Sequence, residues 1–162
     1  MHLNGATFHA LADGDLAAAE AVSPAQLSAY LAGGECRGLW RMRSEQYDQD
    51  PASAAWVTGI VWDERRCRAV GAAGFHGPPD SSGMVESGYR IDPAYWRRGY
   101  ARAALEALLA RAARESDVHR VRVSIRPDNL PSSGLALPYG FRHVGEQWDD
   151  EDGLELVYEM PA

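Results

Sequence analysis

The chain has 162 residues, a formal net charge of −7 and a pI near 5.2, which allows one substantial core and works against polyanionic partners such as nucleic acid or anionic membrane. All 16 basic residues are arginine, so a Walker-type lysine phosphate loop and a Schiff-base mechanism are both excluded. Cys36 and Cys67 lack CxxC spacing, the start lacks a basic region before an apolar run, and no uninterrupted apolar stretch reaches about 18 residues, so a reduced cytoplasmic protein without a membrane span is expected.

The size predicts a single domain over 1–162, helical through residue 55 and built on a sheet from residue 56. Thr7 to Leu11 reads as a short strand, and Asp13 to Val22 as an alanine-rich helix with Asp13 as its cap. Ser23-Pro24 predicts a second helix running to about Ala32, with Gly33-Gly34 ending it. Leu39 to Gln49 predicts a third, stopped by Asp50-Pro51; its Trp40, Arg41, Arg43 and Tyr47 either shape an acceptor pocket or simply pack. Trp56 to Trp62 and Ala69 to His76 predict two antiparallel strands joined by the polar turn Asp63 to Arg68. His76, at a strand end, is either a proton carrier or a structural hydrogen-bonding residue.

Val85, Ser87, Tyr89 and Ile91 alternate with Glu86, Gly88 and Arg90, the period of a two-faced strand, and Asp92-Pro93 stops it. From Ala101 the apolar residues Ala104, Leu105, Leu108, Leu109, Ala112 and Ala113 fall on one helical face. Between strand and helix lies Trp96-Arg97-Arg98-Gly99-Tyr100-Ala101, a glycine-containing loop opening onto unpaired helix N–H groups. Such a place binds phosphate, and Arg97 and Arg98 suit a pyrophosphate. Val121, Val123 and Ile125 alternate with Arg120, Arg122, Ser124 and Arg126 as the next strand, which makes a βαβ crossover and predicts parallel pairing.

The loop resembles the acyl-CoA pyrophosphate loop of GNAT superfamily N-acetyltransferases, usually Gln/Arg-x-x-Gly-x-Gly/Ala, with Trp96 in place of the usual Gln or Arg. Asn129-x-x-Ser132 followed by Gly140-Phe141 is similar to the signature of the branch that includes ribosomal-protein N-terminal acetyltransferases. The resemblance covers Val70 to the C-terminus and implies an α/β (α+β) fold, a mixed sheet of six or seven strands with helices on both faces. It also implies a central strand and a next parallel strand that splay apart to admit pantetheine. By the same register Leu130 to Tyr139 is a helix, weakened by Gly134 and Pro138. Ala136 stands where many members carry a tyrosine that protonates departing CoA; Tyr139 is out of register.

Phe141 to Trp148 and Leu154 to Met160 predict a closing hairpin around Asp149 to Gly153. Asp150, Asp152, Gly153 and Glu159 have spacing compatible with a calcium loop, but Trp148 holds the first-ligand position and the flanks read as strands, so no metal is expected.

The resemblance thus implies an acetyl-CoA-dependent acyltransferase acting on a primary amine of a small molecule or a protein N-terminus by direct transfer. The alternative is a non-catalytic acyl-CoA-binding or regulatory protein. For CoA the expected contacts are Tyr89, Arg90 and Ile91 through backbone N–H groups, Arg97, Arg98, Gly99, Tyr100 and Ala101 in the loop, and Asn129 and Ser132. Glu86, sharing its strand face with Gly88, is the expected base unless an arginine takes it; Ser132 is the expected group for the CoA sulfur unless it and Asn129 merely cap a helix. The superfamily resemblance also suggests a homodimer, with Phe141, Val144, Trp148, Leu154, Leu156, Val157 and Tyr158 available either to an interface or to the protein's own core.

Overall fold

A computed structural model describes residues 1–150 and 152–162. Among the described residues six strands lie in the order β1-β2-β3-β4-β6-β5, mixed in direction, with five α-helices. The chain divides into two compact units, residues 1–74 with 89–104, and 75–88 with 105–162; β2, β3 and α4 run through both.

In the first unit, α1 (Gly5–Asp13) occupies the stretch expected as a strand from Thr7 to Leu11. Asn4 explains it: its side-chain oxygen accepts from the Thr7 N–H at 2.8 Å and the Thr7 hydroxyl at 2.9 Å, capping a helix that buries Phe8, Leu11 and Ala12. Asp13 ends α1 rather than capping the next helix. Gly14 follows it in the left-handed region, and Asp15 caps α2 (Leu16–Val22). Residues 23–33 form turns, not the expected helix. The Ser23 hydroxyl folds onto Ala25, and the carbonyls of Gln26 and Leu31 accept from the Ala69 N–H and the Trp40 indole, so tertiary partners replace helical ones. Gly33 and Gly34 open α3 (Gly34–Gln49) instead of closing a helix, and α3 ends before Asp50-Pro51 as expected. Trp40 and Arg43 are buried in it, Arg43 donating to Thr58 at 3.2 Å, so both belong to the packed interior.

After a 3-10 segment over Pro51–Ala55, β1 (Gly59–Asp63) pairs antiparallel with β2 (Arg68–Phe75). The strand thus starts three residues later than the Trp56 expected. A Cβ on Gly71 would meet the Arg90 carbonyl at 2.3 Å and one on Gly74 would meet Thr58 at 2.4 Å, so close backbone approach requires glycine at both.

In the second unit the parallel ladder between β3 (Met84–Ile91) and β4 (Arg120–Ile125) runs from Met84↔Arg120 to Glu86↔Arg122. On its other edge β4 pairs antiparallel along its whole length with β6 (Gly153–Pro161), which also pairs antiparallel with β5 (Arg142–Asp149). Within the turn expected at Asp149 to Gly153, Glu151 lies outside the described residues. Leu105, Leu108 and Ala112 of α4 (Tyr100–Ala112), with Val85, Val121, Val123, Phe141 and Val157, are among the buried apolar side chains of this unit. The short α5 (Leu130–Ala136) gives way to a 3-10 turn at Leu137–Tyr139, as Gly134 and Pro138 foretell.

Candidate active site

In the first unit β3 ends at Ile91, and Asp92 turns the chain, its carboxylate accepting from the Ala94 N–H at 2.9 Å over a 3-10 turn at Pro93–Tyr95. Trp96, the departure from the family's pattern, braces this turn: its indole N–H donates to the Ile91 carbonyl at 2.7 Å while 63% of the residue stays exposed. Arg97 (φ 57°) and Gly99 (φ 85°) then take left-handed backbone, a conformation that costs a non-glycine residue about 1–2 kcal/mol. The Gly99 carbonyl accepts the first α4 hydrogen bond, from the Ala103 N–H at 3.0 Å, so the N–H groups of Tyr100, Ala101 and Arg102 precede the helical ladder. Arg97, Arg98 and Gly99 are exposed. Helix dipole, early N–H groups and two guanidinium groups give this loop the chemistry of a pyrophosphate cradle.

Two tyrosines tie the loop to the β1–β2 hairpin. The Tyr100 hydroxyl makes a short hydrogen bond to Asp63, which also accepts from the Arg66 guanidinium at 2.9 Å and from the Arg65 and Arg66 N–H groups. These donors, Tyr100 foremost, hold the Asp63 carboxyl far below the usual carboxylate range, and the same bond raises the Tyr100 phenol. Arg68 donates to the Tyr95 hydroxyl at 3.2 Å, and Arg98 sits 5.5 Å from the Tyr95 ring centroid. Nothing in the sequence pairs Asp63 with Tyr100, because a hairpin turn and a distant helix start meet only through the fold. Arg90 is exposed at the strand end, its guanidinium donating to the Glu35 carbonyl of α3.

The second unit holds the other candidates. Glu86 is 17% exposed at its side chain, and its Oε1 accepts from the Ser124 hydroxyl at 2.6 Å. Arg122, opposite Glu86 in register, pairs instead with Glu159 at 2.6 Å, so that guanidinium is committed elsewhere. His76 Nδ1 lies 3.8 Å from the same carboxylate oxygen, and a Cβ on Gly88 would come within 2.9 Å of His76 Nε2. Gly88 therefore makes room for an imidazole beside Glu86. Behind Ser124, the Gln147 amide donates to the serine oxygen at 3.0 Å and to Glu155 at 2.9 Å. Burial raises the Glu155 carboxyl, with the Gln147 bond opposing. Ser124, Gln147 and Glu155 escaped the sequence reading because they sit on three different strands.

Asn129 caps α5, its side-chain oxygen accepting from the Ser132 N–H at 3.2 Å, one of the two roles expected of it. Ser132 is half-buried in that first turn. Ala136 is buried and offers no hydroxyl, while Tyr139 donates to Glu106 at 2.6 Å. Among the described residues no three His, Cys, Asp or Glu side chains gather to hold a metal ion.

The model of the acetyltransferase (GNAT) domain matches residues 7–142. The chain belongs to the GNAT family. It is similar to YjdG of Bacillus subtilis, an uncharacterized N-acetyltransferase, with 35% identity over 82 residues, 51% of this chain and 49% of that protein. The matched stretch thus spans about half the length of the curated relatives. Among solved structures, a GnaT-family acetyltransferase from Bordetella pertussis superposes with a TM-score of 0.60 at 27% identity, over 76% of each chain. The ribosomal-protein-S5-alanine acetyltransferase of Vibrio fischeri shares the fold, with a TM-score of 0.67 at 15% identity over 99% of this chain and 91% of that one. The six-stranded mixed α/β architecture agrees with this membership. No helix among the described residues is long and apolar enough to cross a membrane.

Proposed function

We propose that this GNAT protein transfers an acetyl group from acetyl-CoA directly to a primary amine, either of a small molecule or of a protein N-terminus, in the cytoplasm and as a homodimer. The observation that carries the reading is the 96–101 loop, with left-handed Arg97 and Gly99 ahead of the α4 N-terminus in a chain that the GNAT domain matches over 7–142.

Acetyl-CoA would be held through its pyrophosphate by that loop, with Arg97 and Arg98 neutralising charge, and through its acetyl and pantetheine portions by backbone groups at Tyr89 to Ile91. Glu86 accepts the ammonium proton that the attacking amine must lose; its hydrogen bond from Ser124 and the commitment of Arg122 to Glu159 favour this role. Ser132 orients or protonates the departing sulfur. A non-catalytic acyl-CoA-binding protein is the second reading, favoured by Ala136 at the position where many relatives carry a tyrosine.

Thiol release from acetyl-CoA measured with spermidine, free amino acids and peptides beginning with alanine or serine, beside CoA binding by calorimetry, separates the two. Release with any of these amines supports the enzyme, and CoA binding without release supports the second reading. Glu86→Gln keeps size but loses the carboxylate, and is expected to lower kcat about a hundredfold with little change in acetyl-CoA affinity. Wild-type kcat in that variant would remove Glu86 as the base.

A further inference from the structure

We propose that Ser124 and Gln147 are positioning residues for Glu86, a directed row of hydrogen bonds that aims its carboxylate; this rests on the reading of Glu86 as the base. The direction follows from counting hydrogens. Glu86, ionised as the base, only accepts, so the single Ser124 hydrogen goes to its Oε1 at 2.6 Å. The Gln147 amide therefore meets Ser124, and Glu155 Oε2 at 2.9 Å, with its nitrogen rather than its oxygen. The amide has two hydrogens; one goes to Glu155 and the other to Ser124 Oγ at 3.0 Å.

Sheet register builds the row. Gln147 and Glu155 are directly opposed on β5 and β6, Ser124 opposes Val157 on β6, and Glu86 opposes Arg122, two residues before Ser124 on β4. All four polar side chains therefore stand on one face of adjacent strands, while Arg122 on the same face is held by Glu159 at 2.6 and 3.0 Å. A glutamate on a strand otherwise turns about its last torsion among many orientations. Fixing Oε1 leaves Oε2 as the proton acceptor in a defined direction, which is how a supporting shell raises kcat without touching substrate.

The test measures kcat, and Kd for acetyl-CoA, in Ser124→Ala, Ser124→Thr, Gln147→Leu and Glu86→Gln, using the amine of the panel above that releases thiol fastest. Ser124→Ala and Gln147→Leu are expected to lose about tenfold in kcat with Kd changed less than about twofold, and Ser124→Thr, which keeps the hydroxyl, to recover most of the loss. Wild-type kcat in Ser124→Ala beside an impaired Glu86→Gln overturns the positioning role and leaves the base. Wild-type kcat in Glu86→Gln overturns the base itself. A crystal structure of Ser124→Ala reads the same point without an acceptor: a shifted or split Glu86 carboxylate supports the row, and a single unmoved conformer overturns it.

Discussion

Gly99 shows how a single residue serves the proposed loop without packing against anything. Its φ of 85° lies in the left-handed region, and beyond its chain neighbours no atom of the described residues stands within 4 Å of where its Cβ would be. A side chain there costs backbone strain of about 1–2 kcal/mol rather than a clash, so Gly99→Val should fold but turn the loop away from its present geometry. Calorimetry is expected to show about tenfold weaker acetyl-CoA binding; unchanged affinity in the folded variant would sink the loop assignment. Asp63 works on the same loop by charge. Its carboxyl is depressed in the folded state, so the unfolded chain binds the proton more readily and the carboxylate's contribution is complete above the unfolded value, near 4. That contribution fades as pH falls below this range toward the folded value. Asp63→Asn should therefore lower Tm at pH 7, and the gap from wild type should narrow as the melts are taken down to pH 3. A gap independent of pH would mean that the carboxylate's charge contributes nothing.

At the scale of elements, what the sequence made legible depended on whether a pattern had one reading. The alternation of β3 and β4 and the apolar face of α4 are long and unambiguous, and the structure places them as read, except that α4 ends at Ala112 and leaves Ala113, expected on its apolar face, exposed. Residues 1–33 are short segments in which patterns overlap. Thr7, His9 and Leu11 alternate as a strand would, yet Phe8, Leu11 and Ala12 also lie on one helical face, and the Asn4 cap decides for the helix. Asn4→Ala should accordingly cost about 1 kcal/mol, a fall of roughly 2–4 °C in Tm for a chain of this size; an unchanged melt would show that packing alone selects α1. The same distinction divides the candidate site. The 96–101 loop is contiguous, so a phosphate site could be proposed there from the sequence, and Glu86 could be proposed from its strand face. Its partners depend on which residues of four strands fall opposite one another, and register between distant segments is set by folding, not by local spacing.

At the scale of the whole molecule, the hairpin residues considered for a dimer interface divide by burial. Phe141, Val157 and Tyr158 are buried within the chain's own fold, so they need no partner, whereas Val144, Trp148 and Leu154 are 55%, 75% and 42% exposed. Val144 and Trp148 lie on β5, the last strand in the sheet order, where among the described residues no further strand of this sheet pairs with the outer side. A second copy meeting this edge would cover the exposed tryptophan and extend the ladder. Each chain also brings a net charge of −7 and an acidic turn containing Asp149, Asp150 and Asp152 next to Trp148. The association is therefore expected to strengthen with added salt, which screens repulsion between the two copies. Light scattering at micromolar concentration and 0.3 M salt should give about twice the 17.7 kDa chain mass, and Trp148→Asp should return it to one chain. A wild-type mass near 17.7 kDa would reject the dimer. A Trp148→Asp variant that stays dimeric would move the interface off this edge.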